Sequence, residues 1–220
     1  MGLYASMQDR AHLLVFGPMS YDLYLLRQRP GESTDDVLEQ QELDEDIDSG
    51  PLDPACEERK RKLAAAIEAA APVFKPFVMD YAEVAKAMNC MEEQARRRMR
   101  HIELNEEPPP GHGIQVTVND DSVAVTVPYW HTGEKARRAF EIIAQVCEPA
   151  VKAWGLAIHD PQLDRMVTLP ADLPAMRAVY EKMVADIHDP NGRFLAAATA
   201  QIDREFGQIP VTKKWWQFWR

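Results

Sequence analysis

The run Gly113-Ile-Gln-Val-Thr-Val-Asn-Asp-Asp-Ser-Val-Ala-Val-Thr-Val-Pro-Tyr-Trp130 decides how this chain must fold. Ile114, Val116 and Val118 alternate with polar residues, and Val123, Val125 and Val127 repeat the pattern after Asn119-Asp-Asp-Ser122. Side chains alternate between the two faces of a strand, so each half has one face to bury, and the pair predicts an antiparallel hairpin.

Downstream, Ala136, Phe140, Ile143, Cys147, Val151 and Trp154 keep a 3.6-residue period, which predicts an amphipathic helix from Thr132 to Trp154, capped at Thr132, ended by Gly155 and bent at Pro149. Leu156 to His159 reads as a short strand, with a second around Arg165 to Leu169. Asp172 is the expected cap of a helix carrying the stripe Met176, Val179, Tyr180, Met183, Val184 and Ile187, and a last helix is expected to run to about Phe206.

Upstream, Met19-Ser-Tyr-Asp-Leu-Tyr-Leu-Leu-Arg27 has the alternation and aromatic content of a strand, and Met19 offers an alternative start. A short helix is allowed around Asp35 to Leu43, and Ala55 to Ala71 is helical by propensity. Tyr81 to Met99 reads as helix, turn at Asn89, helix.

The order matches a ferredoxin-like βαββαβ α+β core with strand order 4-1-3-2, an inserted helix pair and a C-terminal helical extension. In domain terms, residues 1–18 are an extension. Residues 19–169 form the α+β domain with an acidic loop at 30–54, and 170–220 are helices and an aromatic tail packed on the same domain.

At 220 residues, 46% hydrophobic and 27% charged, the chain reads as one globular unit. No apolar run is long enough for a membrane-spanning helix, and Leu13 to Phe16 is too short for a secretory signal, so a cytoplasmic location without membrane contact is expected. Cys56, Cys90 and Cys147 are spaced for neither zinc nor redox chemistry and are expected to be reduced.

The net charge of -10 is concentrated. Glu32, Asp35, Asp36, Glu39, Glu42, Asp44, Glu45, Asp46, Asp48 and Asp53 fall in one segment free of Lys and Arg. Such a focused negative field favours a basic protein partner and opposes nucleic acid, although a solvated loop has the same composition. Asp44-x-Asp46-x-Asp48 is not a calcium loop, because glycine comes one position late and Ala55 replaces the bidentate Glu.

In the hairpin register His112 and His131 approach one another, and the ferredoxin-like arrangement would add His159 and Asp160. That trio is the candidate metal or acid/base edge. The helix pair resembles a helix-turn-helix, with Arg96, Arg97, Arg98 and Arg100 on or near its second helix. Glu92 and Glu93 stand where such a unit reads DNA and would repel phosphate. The C-terminal Lys213-Lys-Trp-Trp-Gln-Phe-Trp-Arg220 must cover something apolar, whether this protein's own core or a partner, and a homodimer stays open. No nucleotide, dinucleotide or hydrolase motif is present, and no cofactor is expected.

Met19-Ser-Tyr-Asp-Leu-Tyr24, Arg100-His-Ile-Glu-Leu-Asn105, Val127-Pro-Tyr-Trp-His131 and Asp160-Pro-Gln-Leu163 resemble a group of uncharacterised bacterial proteins, covering residues 19–169. Some similar proteins act as immunity proteins of polymorphic toxins in contact-dependent or type VI competition. The resemblance transfers no catalytic residue. It implies an immunity protein that occludes a cognate toxin, with Asp44, Glu45, Asp46 and Asp48 steering association and Tyr129 and Trp130 as apolar anchors. The other expectations are an enzyme at the histidine edge and a DNA-binding regulator using residues 81–99.

Overall fold

A computed structural model describes residues 20–29, 31–33, 36–37, 51–107, 111–189 and 192. In chain order they form β1 (Ser20–Leu26), α1 (Pro54–Ala70), β2 (Phe74–Pro76), α2 (Tyr81–Ala87), α3 (Glu92–Arg98), β3 (Ile102–Glu106) and β4 (Gln115–Val118). There follow β5 (Val123–Pro128), α4 (Gly133–Trp154), β6 (Ala157–Asp160), β7 (Arg165–Val167) and α5 (Leu173–Ile187). The seven strands make one sheet in the order β2-β3-β4-β5-β1-β6-β7, every neighbouring pair antiparallel.

The valine alternation sets the hairpin register. Val118 stands opposite Val123 and Val116 opposite Val125, closed by Asn119 N–H donating to the Ser122 carbonyl at 2.9 Å. Tyr21, Leu23 and Leu25 of β1 bury the same face as Val116, Val123, Val125 and Val127. That face receives Leu63, Ala64 and Ile67 of α1 and Phe140, Ile143, Val146 and Cys147 of α4, in one apolar cluster. Met176, Tyr180 and Val184 of α5 join it, so α5 belongs to the same core.

α4 runs unbroken through Pro149 and ends as expected, with Gly155 in the left-handed region at φ 66°. Its start differs from expectation, since Thr132 takes the N-cap position without a side-chain capping bond. Asp172 likewise makes no capping bond. Its carboxylate instead accepts from Thr168 N–H and pairs with Arg165 at 2.6 Å, tying the start of α5 to β7.

The sequence reading missed two strands. β2 lies in Pro72-Val-Phe-Lys-Pro-Phe-Val78, where two prolines read as breakers. It survives because it is an edge strand whose Pro76 needs no ladder donor. β3 contains Glu103, Asn105 and Glu106, poor strand formers placed there by pairing with β4. The helix pair connects β2 to β3 and packs chiefly on itself, with Ala85 and Ala95 buried and Asn89 at φ 50° making the turn.

At the hairpin turn, Lys60 of α1 is fully buried. Its ammonium lies 2.9 Å from Asp120 and 2.7 Å from Glu57 and donates to the Arg100 carbonyl. Arg100 also pairs with Asp120, and Arg59 donates to its carbonyl. Burial alone would push the Asp120 carboxyl up, but Lys60 and then Arg100 outweigh it and hold it below the usual carboxylate range. This network fastens the turn to α1. Cys56, whose thiol contacts the Asp120 carbonyl, is pushed up by burial, and the buried Cys147 thiol is pushed up to about 12, so neither is a ready nucleophile at neutral pH. The described cysteines are all free thiols.

Candidate partner-binding edge

At the other end of the hairpin the chain entering β4 meets the chain leaving β5. Glu106, at the end of β3, turns its carboxylate inward and accepts from His112 N–H, from Ile114 N–H at 3.4 Å and from His112 Nδ1 at 2.8 Å. The His112 and His131 rings lie edge to face, 5.3 Å apart. His131 Nε2 is 2.6 Å from the His112 carbonyl oxygen and 2.9 Å from Trp130 Nε1, and its backbone N–H donates to Tyr180 Oη at 3.1 Å. Tyr180 Oη then donates to the Pro128 carbonyl, so a helix residue clamps the end of β5.

Behind this edge stand Tyr21, Tyr129, Phe140 and Tyr180. Tyr129 stacks on Tyr180 at 5.2 Å, and Tyr21 packs edge-on against Phe140 at 5.3 Å. Tyr21 Oη donates to Asp160, whose other oxygen accepts from Gln162 and Leu163 N–H at 2.9 and 3.1 Å. Burial, then Asp160, push the Tyr21 hydroxyl far up, so it stays protonated and serves as a donor.

The expected site residues separate. His112 and His131 do come together, but His159 does not complete a trio. It lies opposite Tyr24 on the sheet face away from the helices, while Asp160, next in sequence, faces the core. His159 is 3% exposed, and among the described residues neither ring nitrogen has a hydrogen-bond partner. No group of three His, Cys, Asp or Glu side chains among the described residues is arranged to hold a metal ion.

Tyr129, expected as an exposed anchor, is 6% exposed and belongs to the aromatic core, because the strand alternation continues one residue past β5. Trp130 is the surface aromatic, 63% exposed. Asp44, Glu45, Asp46, Asp48, the extension 1–18 and the tail from Lys213 lie outside the described residues. In the helix pair, Arg96 and Arg97 pair with Glu92 and Glu93 at 2.7 and 2.5 Å, and Arg96 stacks on Tyr81 at 4.3 Å. α3 therefore presents paired charges rather than a purely basic face.

The sequence reading missed Glu106, Gly113 and Tyr180 as parts of this edge. Only Gly113 left a signal, a glycine in a strand approach, where a close backbone contact is usual. At φ 69°, a Cβ on Gly113 would come 2.7 Å from the Trp130 ring and 3.2 Å from Pro128. Gly113→Ala is expected to lower stability by about 2 kcal/mol through backbone strain and displacement of the indole. Urea unfolding with Trp130 fluorescence would check it, and an unchanged midpoint would show that the ring is not seated there.

A pH dependence follows from the histidines. Burial lowers the pKa of both His101 and His131. The unfolded chain then binds protons more readily, so this stability is present above the ordinary imidazole value and is lost as pH falls through the folded values. Half-buried Asp22, pushed up by desolvation, acts in the opposite sense in the carboxylate range. The melting temperature is expected to drop between about pH 7.5 and pH 5.5, and His101→Gln with His131→Gln to flatten that slope.

Comparison with family models, curated proteins and solved structures returned no match for this chain.

Proposed function

We propose that this chain is a binding protein, an immunity protein that neutralises a cognate bacterial toxin by covering its active site. The observation that carries the reading is Trp130. It is a large aromatic, exposed yet lying against the Gly113 backbone at the end of a hairpin, an arrangement suited to an interface hot spot. The imidazoles beside it are engaged in fixing the chain ends, and the acidic stretch from Glu32 to Asp53 supplies a field that would steer a basic partner. No helix among the described residues is long and apolar enough to cross a membrane, which is compatible with action in the cytoplasm.

In the same reading the core is ferredoxin-like. β1, α1, β4, β5, α4 and β6 follow one another as βαββαβ, and the neighbour order β6-β1-β5-β4 supports it. β2, β3 and β7 then extend that core at its edges.

The test is co-expression with any toxin domain that a neighbouring gene encodes. Restored growth and a salt-sensitive stoichiometric complex are expected. Trp130→Ala should weaken the complex by about 30-fold, and neutralising Asp44, Glu45, Asp46 and Asp48 together should slow association by about tenfold. A toxin that neither binds nor is relieved would overturn the reading, and unchanged affinity of Trp130→Ala would remove that residue from the interface.

A further inference from the structure

One atom at the sheet edge is claimed twice. His131 Nε2 lies 2.9 Å from the indole Nε1 of Trp130 and 2.6 Å from the carbonyl oxygen of His112. An indole N–H only donates and a carbonyl only accepts, so one imidazole nitrogen cannot serve both at once. As a bare lone pair it takes the Trp130 hydrogen. Carrying a proton, it donates to the His112 carbonyl and faces the indole N–H donor to donor.

We propose that His131 is a proton-operated latch on Trp130, holding the indole while Nε2 is unprotonated and releasing it when a proton on Nε2 is given to the His112 carbonyl as a hydrogen bond. The proton resides on Nδ1 in the latched neutral form and on both nitrogens in the released cation. The groups facing His131 come from four elements. His112 precedes β4, Glu106 lies on β3, Lys135 lies on the first turn of α4, and Tyr180 of α5 accepts its backbone N–H. Burial is the largest influence and favours the neutral ring. The His112 carbonyl and Glu106 favour the cation, whereas the His112 ring and Lys135 oppose it. The latch is closed while the neutral ring keeps its proton on Nδ1, and protonation of Nε2 in mild acid opens it.

The position of the latch gives it a purpose. Gly113 leaves the indole room to lie against the backbone, so the hydrogen bond to Nε2 is what fixes the ring's direction while most of its surface stays exposed. A rigid aromatic binds with less loss of side-chain freedom than a loose one. The consequence that partner affinity falls in acid rests on the binding reading above, whereas the latch itself is a property of the isolated protein.

The test is proton–nitrogen NMR of the full chain. The chain has five tryptophans, and Trp130→Phe identifies the Trp130 indole signal by its loss. At neutral pH that N–H should exchange slowly. Between about pH 8 and pH 5 it should shift and exchange at least about fivefold faster, with the same midpoint as the His131 ring protons. In His131→Gln, neutral throughout, that pH dependence should vanish. Should this variant not fold, the shared midpoint in the wild type decides. A Trp130 signal that stays still while His131 titrates, or one that moves with the same midpoint in His131→Gln, would overturn the latch. A working latch in a protein that binds no toxin would instead overturn the immunity reading alone.

Discussion

Replacing Asp120 by alanine is expected to cost about 3 kcal/mol of folding stability, measured as a shift of the urea midpoint at unchanged slope. Lys60 cannot move to water, because it is fully enclosed by α1, the hairpin turn and the chain entering β3. Without Asp120 its ammonium keeps only Glu57 and one carbonyl, and Arg100 loses its partner on the turn. Removing Asp120 leaves the enclosed ammonium with one carboxylate in place of two, and losing a partner of a buried charge costs more than the pair contributed. The double variant Lys60→Met with Asp120→Ala should therefore be more stable than Asp120→Ala alone. A single variant within about 0.5 kcal/mol of the wild type would show that the turn is not held by this network.

Tyr180→Phe is expected to cost about 2 to 3 kcal/mol, although it removes one oxygen and leaves the ring packing intact. That oxygen accepts the His131 N–H, which is left without a partner in the variant, and donates to the Pro128 carbonyl, which keeps only the Trp130 N–H. Tyr180 is fully buried, so water is poorly placed to replace it. The loss should also loosen the end of β5 and with it Trp130, read as a red shift of indole emission relative to Trp130→Phe controls. Unchanged stability and emission would mean that the strand end is fixed by the aromatic stack alone.

Much of the architecture could be read along the chain. The valine alternation around Asn119 to Ser122 determined the hairpin and its register. The Tyr21-x-Leu23-x-Leu25 pattern determined β1, and the 3.6-residue stripes determined α4 and α5. These signals are local, because a strand or helix with one buried face must repeat apolar residues at its own period. Gly155 was legible for the same reason, since a left-handed cap at a helix end calls for glycine.

Tertiary structure decided what depends on residues far apart in sequence. β2 and β3 carry prolines and acids that argue against strands, and only their neighbours in the sheet make them so. Lys60 reads as one more charge in a basic helix run until Asp120 and the Arg100 carbonyl enclose it. The meeting of His112 and His131 followed from the hairpin register. The exclusion of His159 followed from alternation on β6, which sends it to the face opposite Asp160. Likewise, the alternation that buries Val127 turns Tyr129 inward and leaves Trp130 outside, and the indole's place is set by the Gly113 backbone and by His131 Nε2, which the local sequence does not bring together. Periodicity reports that a face is buried, whereas the identity of what buries it is set by contacts the local sequence does not encode.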